Sequence, residues 1–245
     1  AVYSVGSTMY SMYQYPASIL SGIFSPLVNM LVAEDRDKEV SDLFVRVGRI
    51  QYFTLMLILT GFTLFGQEFI YLWSGNDYNG SYWVALLLMY SATIPFTQNL
   101  GVEIQTAKNM HQMRSVVYFV IAILNVCISI PLISRMGASG AALGTAVSLI
   151  LGNTIFMNIY YHIKIKIDII DYWKNIGRIT LPMILPFLLG LVYTKFFTTS
   201  FSWIHLVLCI VVYSAVYSLV VWLLAFNPYE KNLVINLIEK IRGKS

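Results

Sequence analysis

The chain of 245 residues is 58% hydrophobic and only 11% charged, with a mean hydropathy of +0.69. Soluble domains carry about 25% charged residues, so a soluble globular fold is excluded. The apolar residues gather in runs close to the ~20 residues that cross a bilayer. The net charge of +4 says less than its distribution along the chain. Cys127 and Cys209 lie in different apolar runs and form neither a disulfide framework nor a metal cluster; they read as small membrane-buried hydrophobes. The start of the chain lacks the pattern of a signal peptide. It opens on Ala1 inside an apolar run, as a processed or trimmed chain or a fragment of a longer one does.

In chain order, the first expected span is 3–31, rich in hydroxyls and holding Pro16 and Pro26. A span keeps such groups where they face protein or a wet cavity. A loop at 32–49 with Arg36, Lys38, Arg46 and Arg49 leads to a second span, 50–73, which has Glu68 toward its far end. "WSGNDYNGS" joins this to a third span, 81–101. There "SATIPFTQNLGVEIQTAKNMHQ" places Pro95, Thr97, Gln98 and Asn99 in apolar surroundings, with Glu103 close behind. The fourth span, 115–134, contains Asn125, Ser129 and Pro131. After a tight turn at Gly137 and Gly140 comes a fifth, 138–161, where Gly140, Gly144, Ser148 and Gly152 recur every fourth residue. That stripe suits close helix packing; a phosphate cradle would need a lysine and an aqueous strand–loop–helix setting. Spans at 179–197 and 203–226 complete seven. In the tail, 227–245, Leu233, Leu237 and Ile241 alternate with Lys231, Lys240 and Arg242, the pattern of an amphipathic interfacial helix. The expected fold is therefore all-α: a seven-span membrane bundle over 1–226 and a cytoplasmic tail.

Basic residues test this layout. Alternate connections and the tail collect fourteen of the sixteen Lys and Arg; the remaining two, Arg135 and Lys195, fall on the other side. The positive-inside rule puts the rich side in the cytoplasm, with the N-terminus outside and the C-terminus inside.

Chemistry is sparse. His111, His162 and His205 sit at the ends of three segments without acids or cysteines at metal-ligand spacing. No G-x-S-x-G elbow, Walker A or G-x-G-x-x-G loop occurs. Glu68 and Glu103 lie near span ends and read as interfacial or locally paired ahead of functional, so no ion relay is evident. Asn99 and Asn125 serve either as glue between helices or as the lining of a cavity. Arg46 and Arg49, spaced i and i+3 in "LFVRVGRIQYF", are the best candidates for an anionic ligand among the basic-end cations Arg36, Lys108, Arg114 and Arg178. The loops leave no room for a catalytic domain.

The run "NVCISIPLISRMGASGAALGTAVS", Asn125 to Ser148, resembles the pattern of an Asn, an apolar helix, a Pro, then G-x-x-G-A-A-x-x-T-x-x-S. This is typical of bacterial polysaccharide exporters, the lipid-linked oligosaccharide flippases of the multidrug/oligosaccharidyl-lipid/polysaccharide superfamily. "NLGVEIQTAKNMHQMR", with Asn99, Gln105 and Lys108, and the hydroxyl-rich first span are similar to the same family. Members have twelve or fourteen spans in two bundles around a cavity, so seven spans resemble the C-terminal half of a MATE-like fourteen-helix transporter. The resemblance implies a chain that flips polyprenyl-diphosphate-linked oligosaccharide by alternating access, breaks no bond and is not an enzyme. The implied partners are the bilayer, the lipid-linked substrate and an N-terminal half, with no cofactor, metal or nucleic acid. Arg46, Arg49, Asn99, Lys108 and Asn125 are the substrate-binding candidates, and Gly140, Gly144, Ser148 and Gly152 the packing residues. The alternatives are a cation-coupled multidrug exporter of the same fold and a non-transporting membrane assembly partner.

Overall fold

The computed structural model describes residues 1–197 and 202–241, and among them the secondary structure is entirely helical. The helices are α1 (Val2–Ala33), α2 (Asp37–Ser74), α3 (Ser81–Thr97), α4 (Leu100–Ala107), α5 (Gln112–Met136), α6 (Ala138–Ile165), α7 (Ile169–Phe197), α8 (Trp203–Ala225) and α9 (Pro228–Ile241). Six of them, α1, α2, α5, α6, α7 and α8, are long and apolar enough to cross a membrane. The protein is a multi-pass α-helical membrane protein.

The expected third span is not one continuous helix. Pro95 has no N–H to give the preceding turn, and the Gln98 N–H is shared between the carbonyls of Ile94 and Pro95. α3 therefore stops at Thr97 after 17 residues, and the shorter α4 resumes at Leu100.

The connections are also tighter than expected. The 32–49 loop shrinks to 34–36, because 37–49 contains no proline and Asp37 and Glu39 sit favourably in the first turn of α2. α2 then runs for 38 residues, about 57 Å at 1.5 Å per residue, well beyond a hydrocarbon core of about 30 Å. Likewise 162–178 reduces to 166–168, where Lys166 takes a left-handed turn (φ 66°) and the Asp168 carboxylate caps the Asp171 N–H of α7. Before α9, the sequence "NPYE" forms a capping box. Asn227 accepts from the Glu230 N–H (2.9 Å), Glu230 accepts from the Asn227 N–H (2.8 Å), and Pro228 takes the first helical position. The side chains of Leu237, Lys240, Ile241 and Arg242, on which the amphipathic-tail reading also leaned, lie outside the described residues.

Alternate helix ends converge. Lys108 at the end of α4 donates to Asp37 at the start of α2 (2.6 Å) and to the Ile165 carbonyl at the end of α6 (3.1 Å). Ser41 accepts the Asp168 N–H, and Arg49 reaches Asn175 of α7 and Glu230 of α9. At the opposite end Ser81 donates to the Val2 carbonyl, Val2 and Ala138 both pack against the cluster of Val84, Leu88 and Ala142, and Glu68 accepts the Ser202 N–H. The connections at 34–36, 108–111, 166–168 and 226–227 thus share one end of the bundle.

A core of Phe44, Tyr161 and Tyr172 with Val28, Leu100 and Ile104 holds that end together. The outward faces of α5, α7 and α8 are apolar: Phe119, Leu181 and Ile204 are 68%, 70% and 84% exposed. Such a surface suits lipid. On α1 the outward hydroxyls of Ser7, Thr8 and Ser11 donate to carbonyls one turn back, so they need no water.

The small-residue stripe of α6 lies against α5. A Cβ on Gly140 would strike the Leu132 carbonyl, on Gly144 the Ser129 side chain, and on Gly152 Ile121. Ser148 is buried and returns its hydroxyl to the Gly144 carbonyl (2.8 Å). Gly137 makes the turn with φ +59°, a conformation that glycine adopts without a Cβ penalty.

Candidate functional site

Several cavities line the bundle, and chemistry distinguishes them. Three of them, of about 420, 380 and 350 Å³, are lined mainly by apolar side chains and open toward the apolar exterior. Two are more polar: one of about 260 Å³ beside Gln67, Glu68 and His205, and a smaller one of about 150 Å³ near the basic end. Gln14 of α1, Gln98 and Asn99 at the α3–α4 break, Arg114 and Tyr118 of α5, and Asn153 of α6 surround it, with Tyr10, Phe96 and Tyr161 as aromatic walls.

Local backbone irregularities position these groups. The break after α3 puts Gln98 and Asn99 between two short helical ends. α6 widens into π-type turns at 150–156, carrying Asn153. Such turns recur at functional sites because they re-aim side chains. Beside the pocket Gln98 and Asn158 exchange amide hydrogen bonds (2.9 and 3.1 Å), and Trp173 Nε1 donates to the same Asn158 oxygen (3.1 Å). The pair is buried and fixes α3 to α6. Gly101 lets Tyr161 approach, since a Cβ there would lie 2.6 Å from the ring.

Two members have binding capacity to spare. Arg114 donates to the Tyr118 hydroxyl and stands 5.1 Å from that ring's centroid, and it pairs with no carboxylate among the described residues. The Asn99 side chain makes no hydrogen bond among the described residues, yet it lines the pocket. A guanidinium with free donors suits a phosphate or carboxylate, and amides match sugar hydroxyls as both donors and acceptors.

The structure separates the sequence candidates. Asn99 reaches the pocket. Asn125 accepts from Ser129 (2.6 Å) and Thr145 (3.3 Å) and so ties α5 to α6 as glue. Lys108 is committed to Asp37 and the end of α6. Arg49 is 6% exposed and makes a two-point pair with Glu230 (2.6 and 3.0 Å) plus bonds to Asn175 and the Ala225 carbonyl. Arg46 is exposed and lies 5.2 Å from the Tyr229 ring centroid. Arg46 and Arg49 therefore both meet α9 and line no pocket with Asn99. Glu103 accepts from Ser25 (2.7 Å), and Glu68 pairs with His205 (3.2 Å). In the α1–α2 connection Arg36 is held by Glu34, then Glu39, which raise its guanidinium above the ordinary pKa. Gln105, one of the resemblance residues, is fully buried, and neither atom of its amide has a partner among the described residues.

Sequence reasoning missed Gln14 and Asn153 and read Arg114 as one of several basic-end cations. The available signal was a lone amide inside an apolar run, "SMYQYP" and "LILGNTIF". Comparison with protein-family models, characterised proteins and solved structures gives no match, so the reading of this pocket rests on its own residues.

Proposed function

We propose that the chain is part of a transporter that flips polyprenyl-diphosphate-linked oligosaccharide across the bacterial cytoplasmic membrane by alternating access. The observation that carries this reading is the polar pocket at Arg114, where an arginine without a carboxylate partner among the described residues stands beside unfilled amide capacity inside an apolar bundle. Sugar and diphosphate need such a path while the polyprenyl tail stays in lipid. A pocket of about 150 Å³ is too small for a whole oligosaccharide, so the sugar would lie between this bundle and a second, N-terminal one. With the basic ends cytoplasmic, Arg114 stands on the loading side. No bond is broken, and the role is transport.

Binding to the purified protein in lipid nanodiscs tests the reading, using polyprenyl-diphosphate-linked oligosaccharide and the sugar-free polyprenyl diphosphate as probes. Losing one charged hydrogen bond of about 1.5–3 kcal/mol weakens binding roughly 10- to 100-fold. Arg114→Ala should weaken both probes by that amount, Asn99→Ala only the sugar-bearing one, and exposed Arg178→Ala neither. Unchanged affinity in Arg114→Ala would remove the pocket from substrate recognition. The drug-exporter alternative draws on the buried Glu68 carboxylate. It expects an amphipathic cation to bind, with affinity that survives Arg114→Ala.

A further inference from the structure

At the end of the bundle away from the Arg114 pocket, α8 presents His205 and, one turn on, Cys209. His205 Nδ1 lies 3.2 Å from Glu68 Oε1, and Nε2 lies 3.5 Å from Cys209 Sγ. The Tyr193 hydroxyl stands 3.3 Å from Nε2 and 3.4 Å from Sγ. In the tautomer that donates from Nδ1 to the Glu68 carboxylate, the Nε2 lone pair faces the Cys209 thiol and the Tyr193 hydroxyl. Glu68 is itself held by the Ser202 N–H (3.4 Å). An acid orients a base, and the base faces a thiol; this is the arrangement that activates a cysteine nucleophile.

Cys209 has a second neighbourhood. Its other side lines the apolar cavity of about 350 Å³ formed with Pro186, Leu189, Leu208, Val212 and Val216. Leu189, Leu208 and Val212 are each more than half exposed on the apolar exterior, so the cavity opens to lipid. The thiol thus sits where a polar base meets a slot shaped for an alkyl chain. Cys127 supplies an internal contrast: it is exposed on α5 and has no histidine or acid beside it among the described residues.

We propose that Cys209 is a self-acylation site that takes a long-chain fatty acyl group from an activated lipid, either a thioester or a glycerolipid ester. As the thiol proton passes to His205 Nε2, sulfur attacks the acyl carbonyl carbon. The new C–S bond forms, and the donor's bond from that carbon to sulfur or oxygen breaks. The leaving group then recovers the proton from His205. Glu68 holds the imidazole in register and steadies its charged form. The product is a thioester whose chain occupies the apolar cavity and the adjoining bilayer. The proposal is independent of what the bundle transports.

The experiment uses the protein in nanodiscs with two donors in separate arms, alkyne-tagged palmitoyl-coenzyme A and alkyne-tagged phosphatidylethanolamine. Label released by hydroxylamine is mapped by peptide mass spectrometry. The wild-type protein should carry it on Cys209, and the arm that labels identifies the donor. Cys127→Ser should retain the label and Cys209→Ser lose it. His205→Asn and Glu68→Gln should slow labelling at least about tenfold, the low side of what a positioned base contributes. Absence of label on wild-type Cys209 in both arms overturns the proposal without any variant having to fold. So does equal labelling of Cys127, or a rate unchanged in folded His205→Asn.

Discussion

Arg49 carries a charge to a position 6% exposed, tolerable only because Glu230 accepts two hydrogen bonds there while Asn175 and the Ala225 carbonyl take two more. Removing one partner strands the other, at a cost of about 3–5 kcal/mol, whereas replacing both with apolar residues of similar volume is often neutral. Arg49→Met should therefore lower the unfolding midpoint in detergent sharply, and Arg49→Met with Glu230→Leu should recover most of it. A double variant as unstable as the single would overturn the stranded charge as the cause of the loss. Residue type in sequence did not reveal this role. Arg46 and Arg49 look alike three positions apart, yet one lies over a tyrosine ring and the other is buried against a carboxylate 181 positions away. Asn99 and Asn125 diverge in the same way, one lining a pocket and the other linking two helices. The polarity of each was legible; what it faced was not.

Elements show a closer match between pattern and structure. The four-residue period of Gly140, Gly144, Ser148 and Gly152 marks a helix face, and α5 lies against it. Gly144→Leu forces a side chain into Ser129, with an expected cost of about 1–3 kcal/mol or more from overpacking. Gly177→Ala, where a Cβ meets nothing within 4 Å, should stay within about 1 kcal/mol of the parent, on the stabilising side. Equal midpoints for the two variants would deny the stripe its packing role. The broken third passage is legible in retrospect from Pro95, but whether a proline kinks, ends or merely sits in a helix depends on what satisfies the freed backbone. Here the Gln98 N–H closes a tight last turn on the Ile94 and Pro95 carbonyls, and the amide pair with Asn158 holds the break in place. The capping box "NPYE" is a local signal that marks the start of α9 without tertiary help.

At the scale of the whole molecule, basic connections gather at one end because alternate helix ends meet there. Labels placed at 36, 109 and 166 should be shielded in intact cells, and one at 77 should react with an impermeant thiol reagent, each introduced as a single cysteine. The reverse pattern would turn the proposed orientation over. Hydropathy, run length and charge by themselves determined that this is a helical membrane protein with short connections, because those properties add along the chain and the bilayer reads them one segment at a time. Only the tertiary structure decided that Arg49 is a strut, that Asn99, Arg114 and Asn153 share a pocket, and that His205 lies between Glu68 and Cys209. Those groupings join side chains far apart in sequence, and buried polar groups take their roles from whichever partner satisfies them.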